Sequence, residues 1–268
     1  MYRLLPNPPP EFIEARLNAH YASQLVAAPG VARVPPAEDF SHTALVWNAT
    51  HAVLEGAALP GTSLRAGLRV SSLELVVLDE EVRATIPLAG RTLAEGLAAL
   101  EAALPEGAAL VMPEHELPAH PLAEGARFET DATLAQLEGW FENAAAILEA
   151  ARADQPASPV RLWPHHFDIA TLITFDEGVD AEAARSIGVG LSPGDGSYAQ
   201  PYWYVTPWPY PKDPSLASLP LGAWHTDGFF AAILTARTLV AAGDDQAANV
   251  AAFLDAAVVA CRRYLGLD

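Results

Sequence analysis

Apolar side chains recur every three to four residues in five segments of the chain, and this spacing predicts five amphipathic helices. In the second segment, Thr92 and Glu95 form the capping-box pattern that opens a helix, and Pro105 stops it. We expect Pro29-Gly30 to end the first helix, because both residues disfavour a helix interior. The predicted helices comprise residues 10–27, residues 92–104, a long helix capped by Asp131, a helix that starts at Thr226 or Asp227, and residues 244–265.

Alternating apolar and polar residues, many of them β-branched, predict strands in both halves of the sequence. The N-terminal strands are expected at His42–Val53, Leu73–Leu78 and Val82–Leu88, the last two as a hairpin. The C-terminal strands are expected at Val160–Phe175, bent or interrupted at Pro164, and at Arg185–Leu191 and Tyr202–Thr206. Successive strands with helices before and after them are typical of an α+β architecture.

Each half of the chain thus has the order helix, about three mostly antiparallel strands, helix. We predict an α+β fold of two similar halves, over residues 1–105 and 131–268, packed as one compact unit. Residues 106–130 are rich in Pro and Glu and are expected to connect the halves. The shared order points to a distant duplication, although no sequence repeat of fixed period is visible.

Composition and charge narrow the classes of partner. The chain has 268 residues, 51% of them hydrophobic, which is enough for a large core, and its formal net charge is −18. A surface this acidic repels nucleic-acid phosphates and anionic membranes, so neither is an expected partner. Alanine is abundant and Lys212 is the only lysine among 15 basic residues, a composition typical of GC-rich bacteria.

Cys261 is the only cysteine, so no intrachain disulfide can form. Its helical spacing from Ala257, Val258 and Leu265 predicts a core residue rather than a reactive thiol. The segment MYRLLPNPPPEF lacks the apolar region of a signal peptide, and no apolar stretch reaches the ~18 residues of a membrane span. We therefore expect a cytoplasmic protein.

The predicted C-terminal strands have a core face and an outward face. The outward face lacks side chains at Gly188 and Gly190, and it is bordered by two pairs of polar or aromatic residues: His166 with Asp168, and Tyr202 with Tyr204. Glycine inside a strand marks a close approach of a ligand or of backbone, and aromatic walls with a few polar groups are typical of small-molecule pockets. The glycines could equally make room for a packed helix or a bulge, so both interpretations stay open.

Two His-x-Asp steps, His166-Phe167-Asp168 and His225-Thr226-Asp227, supply the candidate chemistry. Side chains two apart on a strand point to one face, so His166 and Asp168 are expected to present an imidazole and a carboxylate together. With His225 they are a candidate ligand set for divalent Zn, Mn or Fe. Against a metal, Thr226 and Asp227 are favoured helix N-caps, and the positive end of that helix favours an anion beside His225.

Two segments, LWPHHFDIATLITF and SIGVGLSPGDGSYAQPYWYVTPWP, resemble a bacterial family of unknown function, mainly in its C-terminal half. The resemblance rests on Trp163 before the Phe-Asp-Ile-Ala strand, on a Ser-x-Gly strand with a Pro-Gly turn at Pro193, and on the aromatic strand that ends in proline. The pair His165-His166 departs from the family pattern. The resemblance implies the fold and singles out Asp168, and it supplies no activity.

Three classes of function stay open on these grounds. The leading hypothesis is a small molecule, anionic on the helix argument, bound in a recess formed by His166, Asp168, Gly188, Gly190, Tyr202, Tyr204 and His225. The alternative is a metal-dependent enzyme, a hydrolase in its simplest form, that uses His166, Asp168 and His225, although a divalent metal is not the favoured ligand. The third is a structural or interaction protein without a ligand. Catalytic residues, the cofactor and the oligomeric state are left unassigned.

Overall fold

The computed structural model describes residues 2–153, 155–176, 178–179 and 183–267. They form an α+β fold with two antiparallel sheets, which confirms the predicted class. The helices are α1 (Phe12–Arg33), α2 (Leu93–Ala103), α3 (Leu134–Arg152), α4 (Ala236–Ala241) and α5 (Gln246–Tyr264). The strands are β1 (Val46–Asn48), β2 (Val53–Glu55), β3 (Arg65–Arg69), β4 (Glu74–Leu78), β5 (Val82–Pro87), β6 (Arg161–Trp163), β7 (Asp168–Thr174), β8 (Ser186–Ser192), β9 (Tyr202–Trp208), β10 (Ala223–His225) and β11 (Ala231–Thr235). None of the described helices is both long and apolar enough to cross a membrane.

The chain divides into two compact units. The N-terminal unit comprises Pro9–Glu142 and Arg161–Asp168. The C-terminal unit comprises the described residues of Met1–Pro8, Asn143–Val160 and Ile169–Asp268. The division therefore falls within α3, and the Pro/Glu-rich residues 106–130 belong to the N-terminal unit.

The N-terminal unit is built on an antiparallel meander with the order β1-β2-β3-β4-β5. The predicted β4–β5 hairpin and the capping box of α2 are both confirmed. The Thr92 hydroxyl accepts the Glu95 N–H at 3.2 Å, and the Glu95 carboxylate accepts the Thr92 N–H at 2.9 Å. Helix α1 packs against β3 and α2, and α2 packs against β5. The sequence did not predict β3, whose Ala-Gly-Leu centre is fully buried and lacks the usual alternation.

Helix α1 continues to Arg33, so the prediction that Pro29-Gly30 ends it is wrong. Residues 25–30 are all buried, and a helix that is apolar on every side gains enough from burial to offset the local cost of proline and glycine. Gly30 also allows a close approach of backbone. A Cβ atom at this position would lie 2.0 Å from the His42 carbonyl oxygen.

The C-terminal unit contains strands in the order β10-β11-β9-β8-β7, all antiparallel, with α5 packed on β8, β9 and β11. The predicted strands at β8 and β9 and the predicted helix at α5 are confirmed. Cys261 on α5 is fully buried, and this burial raises the pKa of its thiol to about 12, as expected for a core residue. The predicted strand Val160–Phe175 is interrupted at Pro164 as expected. Its first part, β6, belongs to the N-terminal unit, where Leu162 bridges Leu45.

The segment from Thr226 to Thr235 is a hairpin, so the predicted helix starting at Thr226 or Asp227 is wrong. Strands β10 and β11 pair with His225 opposite Ala231, and Asp227-Gly228 forms part of the turn, with Gly228 at φ +81°. An Asp-Gly step between apolar runs is a hairpin signal, and here it outweighs the helical spacing of Phe229, Phe230 and Ile233. Because no helix begins at this point, the argument for an anion beside His225 loses its basis.

Amide side chains of the C-terminal unit hold the backbone of residues 2–8, and two of them each pair with one residue in both directions. Asn143 accepts the Arg3 N–H at 2.9 Å and donates to the Arg3 carbonyl at 2.8 Å. Gln246, at the start of α5, does the same for Leu5, at 3.1 and 2.8 Å. Each amide therefore pairs with both backbone groups of one residue, as a neighbouring strand would.

Candidate ligand-binding site

The seven residues singled out by the sequence fall into two groups. Gly188, Gly190, Tyr202, Tyr204 and His225 belong to the C-terminal unit, whereas His166 and Asp168 belong to the N-terminal unit. The C-terminal unit thus holds the aromatic and glycine part of the predicted recess, and that part is described first.

Strand register places the C-terminal residues on one face of the sheet. Tyr204 stands opposite both Gly190 on β8 and Ile233 on β11, and His225 stands opposite Ala231. Directly opposed residues of antiparallel strands share a face. The core residues Ile187, Val189 and Trp203 point to the other face and are buried, as the alternation predicted.

Six side chains on this outward face form what we call the tyrosine cluster. Its members come from the β8–β9 loop, from β9, and from the β10–β11 hairpin. They are Asp195, Tyr198, Tyr202, Tyr204, His225 and Phe229. The sequence had not singled out Asp195, Tyr198 or Phe229, because their contacts depend on how a loop and a turn fold back over the sheet.

The rings of the tyrosine cluster form a continuous row. The ring centroid of Tyr202 lies 6.3 Å from Tyr204 and 4.9 Å from Tyr198, with the ring planes tilted by 54° and 48°. Tyr198 meets His225 edge-on at 5.6 Å, and Phe229 stacks on His225 at 4.0 Å. Tyr202 is buried, while the other four rings are half-buried and reach solvent.

Hydrogen bonds fix the polar atoms of this row. The Tyr198 hydroxyl is 2.8 Å from His225 Nδ1, and His225 Nε2 donates to the Asp227 carbonyl at 2.6 Å. The Tyr202 hydroxyl donates to the Asp195 carboxylate, which also accepts the N–H groups of Ser197 and Tyr198, at 2.7 and 2.9 Å. Partial burial, with the nearby negative charge of Asp195, raises the pKa of Tyr198 above its usual value.

The predicted open recess above Gly190 is filled from within the sheet. A Cβ atom on Gly190 would lie 2.6 Å from the Tyr204 hydroxyl oxygen, so the tyrosine ring occupies the space left by the missing side chain. Above Gly188, the nearest atom is the Thr206 methyl group, at 3.1 Å. The glycine strip therefore accepts side chains of the adjacent strand β9, and the ring row is the remaining candidate surface on this face.

We expect Gly190→Ala to lower the free energy of unfolding by about 2 kcal/mol, because the added methyl is forced against fixed atoms. It would lie 2.7 Å from the Ile169 carbonyl oxygen, which belongs to the backbone, as well as against Tyr204. Urea denaturation measures the loss. In the control variant Gly188→Ala the added methyl meets only the Thr206 methyl, so we expect less than half of this loss in the free energy of unfolding. An equal or larger loss for Gly188→Ala would contradict the packing described.

The strand alternation that predicted the His166–Asp168 pair does not include His166. Strand β7 begins only at Asp168, and His166 lies in a turn whose last residue, Phe167, has a left-handed φ of +58°. The N–H groups of His166 and Phe167 both donate to the Trp163 carbonyl, at 3.2 and 2.7 Å. This turn ends the alternation before it reaches Asp168, so the two side chains do not stand side by side on one strand.

The candidate metal set is not assembled. Among the described residues, no group of three or more His, Cys, Asp or Glu side chains is placed to hold a metal ion. The set His166, Asp168 and His225 is included in that finding.

His166 instead belongs to a group of histidines in the N-terminal unit. His20, on α1, is buried and donates from Nε2 to the Pro164 carbonyl at 2.8 Å, beside a second donor to the same oxygen, Gln24. His115 Nε2 donates to the Gln24 amide oxygen at 2.8 Å. The His165 ring lies 4.3 Å from His166 and 5.9 Å from His115.

Burial keeps two of these imidazoles neutral. The pKa of His20 is lowered to about 4, chiefly by burial and also by repulsion from Arg16, His115 and His166. Burial and the neighbouring His166 lower the pKa of His165 to about 4 as well. His20 and His165 are therefore uncharged at neutral pH, and His20 hydrogen-bonds the Pro164 carbonyl in the β6–β7 turn.

A cavity of about 270 Å³ lies on the opposite, core face of the C-terminal sheet. Its walls are mainly apolar side chains of β7, β8 and α5, and its mouth carries charges of both signs: Arg152, Asp255 and Arg262. This volume is at the lower limit of small-molecule pockets. The mixed charges favour neither an anion nor a cation, so the cavity is the less specific of the two candidate sites.

No protein-family model, curated protein or solved structure matches this chain. The assignment of chemistry therefore depends on the geometry of the site itself.

Proposed function

We propose that the protein binds a small molecule at the tyrosine cluster on the outward face of the C-terminal sheet. The observation that carries the proposal is the Tyr198–His225 pair, half-buried in a row of five rings and held in one orientation by the Asp227 carbonyl. Aromatic walls with a few oriented polar groups are the usual composition of such sites. The single cysteine, which excludes an intrachain disulfide, supports the proposed cytoplasmic location.

Ligand-observed NMR with a set of small amines, alcohols, carboxylates and aromatic fragments tests this function. We expect Tyr198→Phe to weaken binding of the best fragment about tenfold, because it removes one hydroxyl and its hydrogen bonds. His225→Gln should also weaken binding, since it removes both the ring and the partner of Tyr198.

Two control variants distinguish binding at the tyrosine cluster from binding elsewhere on the protein. Tyr210→Phe, on an exposed tyrosine outside the cluster, should bind as the wild type does. Val258→Phe fills the cavity beside α5 and should leave binding unchanged. Binding that is lost in Val258→Phe and kept in Tyr198→Phe would move the site to that cavity, and the absence of any bound fragment would refute the proposal.

A further inference from the structure

Hydrogen-bond directions in the tyrosine cluster determine which ligand atoms it can accept. In the neutral imidazole of His225, Nε2 carries the hydrogen, because it faces the Asp227 carbonyl and a carbonyl only accepts. Nδ1 then accepts the hydroxyl hydrogen of Tyr198. The Tyr202 hydroxyl gives its hydrogen to Asp195 in the same way. Both hydroxyl hydrogens are therefore engaged within the protein, and the half-buried Tyr198 hydroxyl presents lone pairs, not a hydrogen, to a ligand.

The charged residues on the segments that build the cluster are mainly negative. Asp195 and Asp227 are exposed at its edge, and Lys212 is the only lysine or arginine in the whole stretch from Ser186 to Thr235. The chain as a whole carries −18. Such a field attracts cations and lowers the local concentration of anions.

The aromatic rings of the cluster also favour a positively charged ligand. The face of an aromatic ring is electron-rich and attracts a cation within about 6 Å of its centre. The half-buried rings of Tyr198, Tyr204 and Phe229 are exposed to solvent in part. The rings from Tyr204 through Tyr202 and Tyr198 to His225 are tilted by 48° to 63° from one to the next, so their faces meet at angles and a compact cation can contact more than one face.

From these three observations we infer that the ligand of the tyrosine cluster is a small organic cation, an amine or a quaternary ammonium. The inference rests on the proposed function and names the ligand class of that site. It replaces the anionic ligand expected from the sequence, which depended on a helix at Thr226. An anion would meet the lone pairs of the Tyr198 hydroxyl, the carboxylate of Asp195 and ring faces, all of which repel it.

Three probes of nearly equal shape test the charge of the ligand. Choline, 3,3-dimethylbutan-1-ol and 3,3-dimethylbutanoate share a head of three methyl groups and carry a positive, a zero and a negative charge. An NMR titration that follows the His225 ring protons measures their affinities. We expect choline to bind about tenfold more tightly than the alcohol, with affinity that falls as salt is added, and the carboxylate to bind most weakly.

Matched variants locate the effect in the cluster. Asp195→Asn and Phe229→Leu should each weaken choline severalfold while changing the affinity for the alcohol little. Tyr210→Leu, on a ring outside the cluster, should leave the affinities for both probes unchanged. Circular dichroism and melting curves of each variant confirm that it is folded, so that a loss of binding is not a loss of structure.

The outcomes separate the ligand class from the proposed function. Equal or tighter binding of the alcohol or the carboxylate at the His225 protons would overturn the cation and keep the small-molecule site. If none of the three probes binds but another uncharged or acidic fragment binds at Tyr198, the cation is again overturned and the small-molecule site is kept. Failure of the probes together with every fragment of the set would overturn both.

Discussion

Lowering the pH from 7 to 4 is expected to reduce the free energy of unfolding by about 3 kcal/mol through His20 alone. Its pKa is lowered from 6.5 to about 4 in the folded protein, because burial disfavours the imidazolium. Between these two values the unfolded chain binds a proton that the folded chain does not. The stability is therefore complete above pH 6.5 and declines as the pH falls toward 4.

Urea denaturation at half-unit intervals of pH measures this decline. His20→Gln keeps an N–H donor for the Pro164 carbonyl and has no titrating ring, so its curve should lose a slope of about one proton, or 1.4 kcal/mol per pH unit. His51→Gln, in the turn between β1 and β2, controls for the removal of one histidine as such. A His20→Gln curve parallel to that of the wild type between pH 6.5 and 4 would contradict the role of His20.

Three other groups also make the stability depend on pH: one histidine over the same pH range as His20, and two aspartates at lower pH. His165 also has a pKa lowered to about 4, but its ring is covered by neighbouring histidines only in part and otherwise reaches solvent, so its share of the loss is smaller. The hydrogen bonds of Asp39 to Ser41 and of Asp176 to Arg185 lower the pKa of each carboxyl to about 2. These carboxylates lose their stabilising interactions only below pH 4, so the two windows are distinguishable in one pH series.

Gly30→Ala is expected to lower the free energy of unfolding by about 3 kcal/mol, the upper end for overpacking. Within a helix the same change ordinarily stabilises by about 1 kcal/mol, because alanine is the better helix former. Here the added methyl would stand 2.0 Å from the His42 carbonyl oxygen and 3.5 Å from the Thr43 Cα, so backbone must move. The sign of the change is thus opposite to that of helix propensity.

Chemical denaturation of Gly30→Ala beside Gly96→Ala provides the comparison. Gly96 lies in α2, and its added methyl would meet only the side-chain ends of Leu25 and Leu88, at 2.9 and 3.0 Å, which can rotate aside. We expect Gly96→Ala to stay within about 1 kcal/mol of the wild type, since propensity and crowding oppose each other. A Gly30→Ala protein as stable as the wild type would mean that the His42 loop moves away from α1 at little cost.

The parts of the fold that the sequence predicts correctly are those specified by neighbouring residues. The capping box at Thr92, the β4–β5 hairpin and the alternation of β8 and β9 each follow from a few adjacent side chains. The end of α1 and the hairpin at Asp227 escape prediction for different reasons. At Pro29 the burial of the whole helix outweighs local propensity, and at Asp227 the same residues that signal a turn also resemble a helix cap.

In the candidate site too, the features set by neighbouring residues are predicted correctly, and those set by contacts between distant segments are not. Alternation places Tyr202 and Tyr204 on the outward face, and β10 adds His225 once its register is known. Alternation within one strand cannot show that Tyr204 lies over Gly190, because this depends on which residue of the next strand stands opposite. It also cannot foresee the turn at Phe167, because a left-handed conformation is uncommon for a bulky residue and no glycine marks it.

The hydrogen bonds of Asn143 and Gln246 to the N-terminal segment have a consequence for the order in which the protein folds. Arg3 and Leu5 find their partners 140 and 241 residues further along the chain. During synthesis the hydrogen bonds of Leu5 cannot form until Gln246 has been added to the chain. The β1–β5 meander, in contrast, pairs only strands that are neighbours in sequence. Long-range closures of this kind are slow compared with local pairing. The C-terminal unit, which carries the tyrosine cluster, therefore completes its hydrogen bonds after the meander has formed, and a nascent chain that ends before residue 246 leaves the backbone groups of Leu5 without these partners.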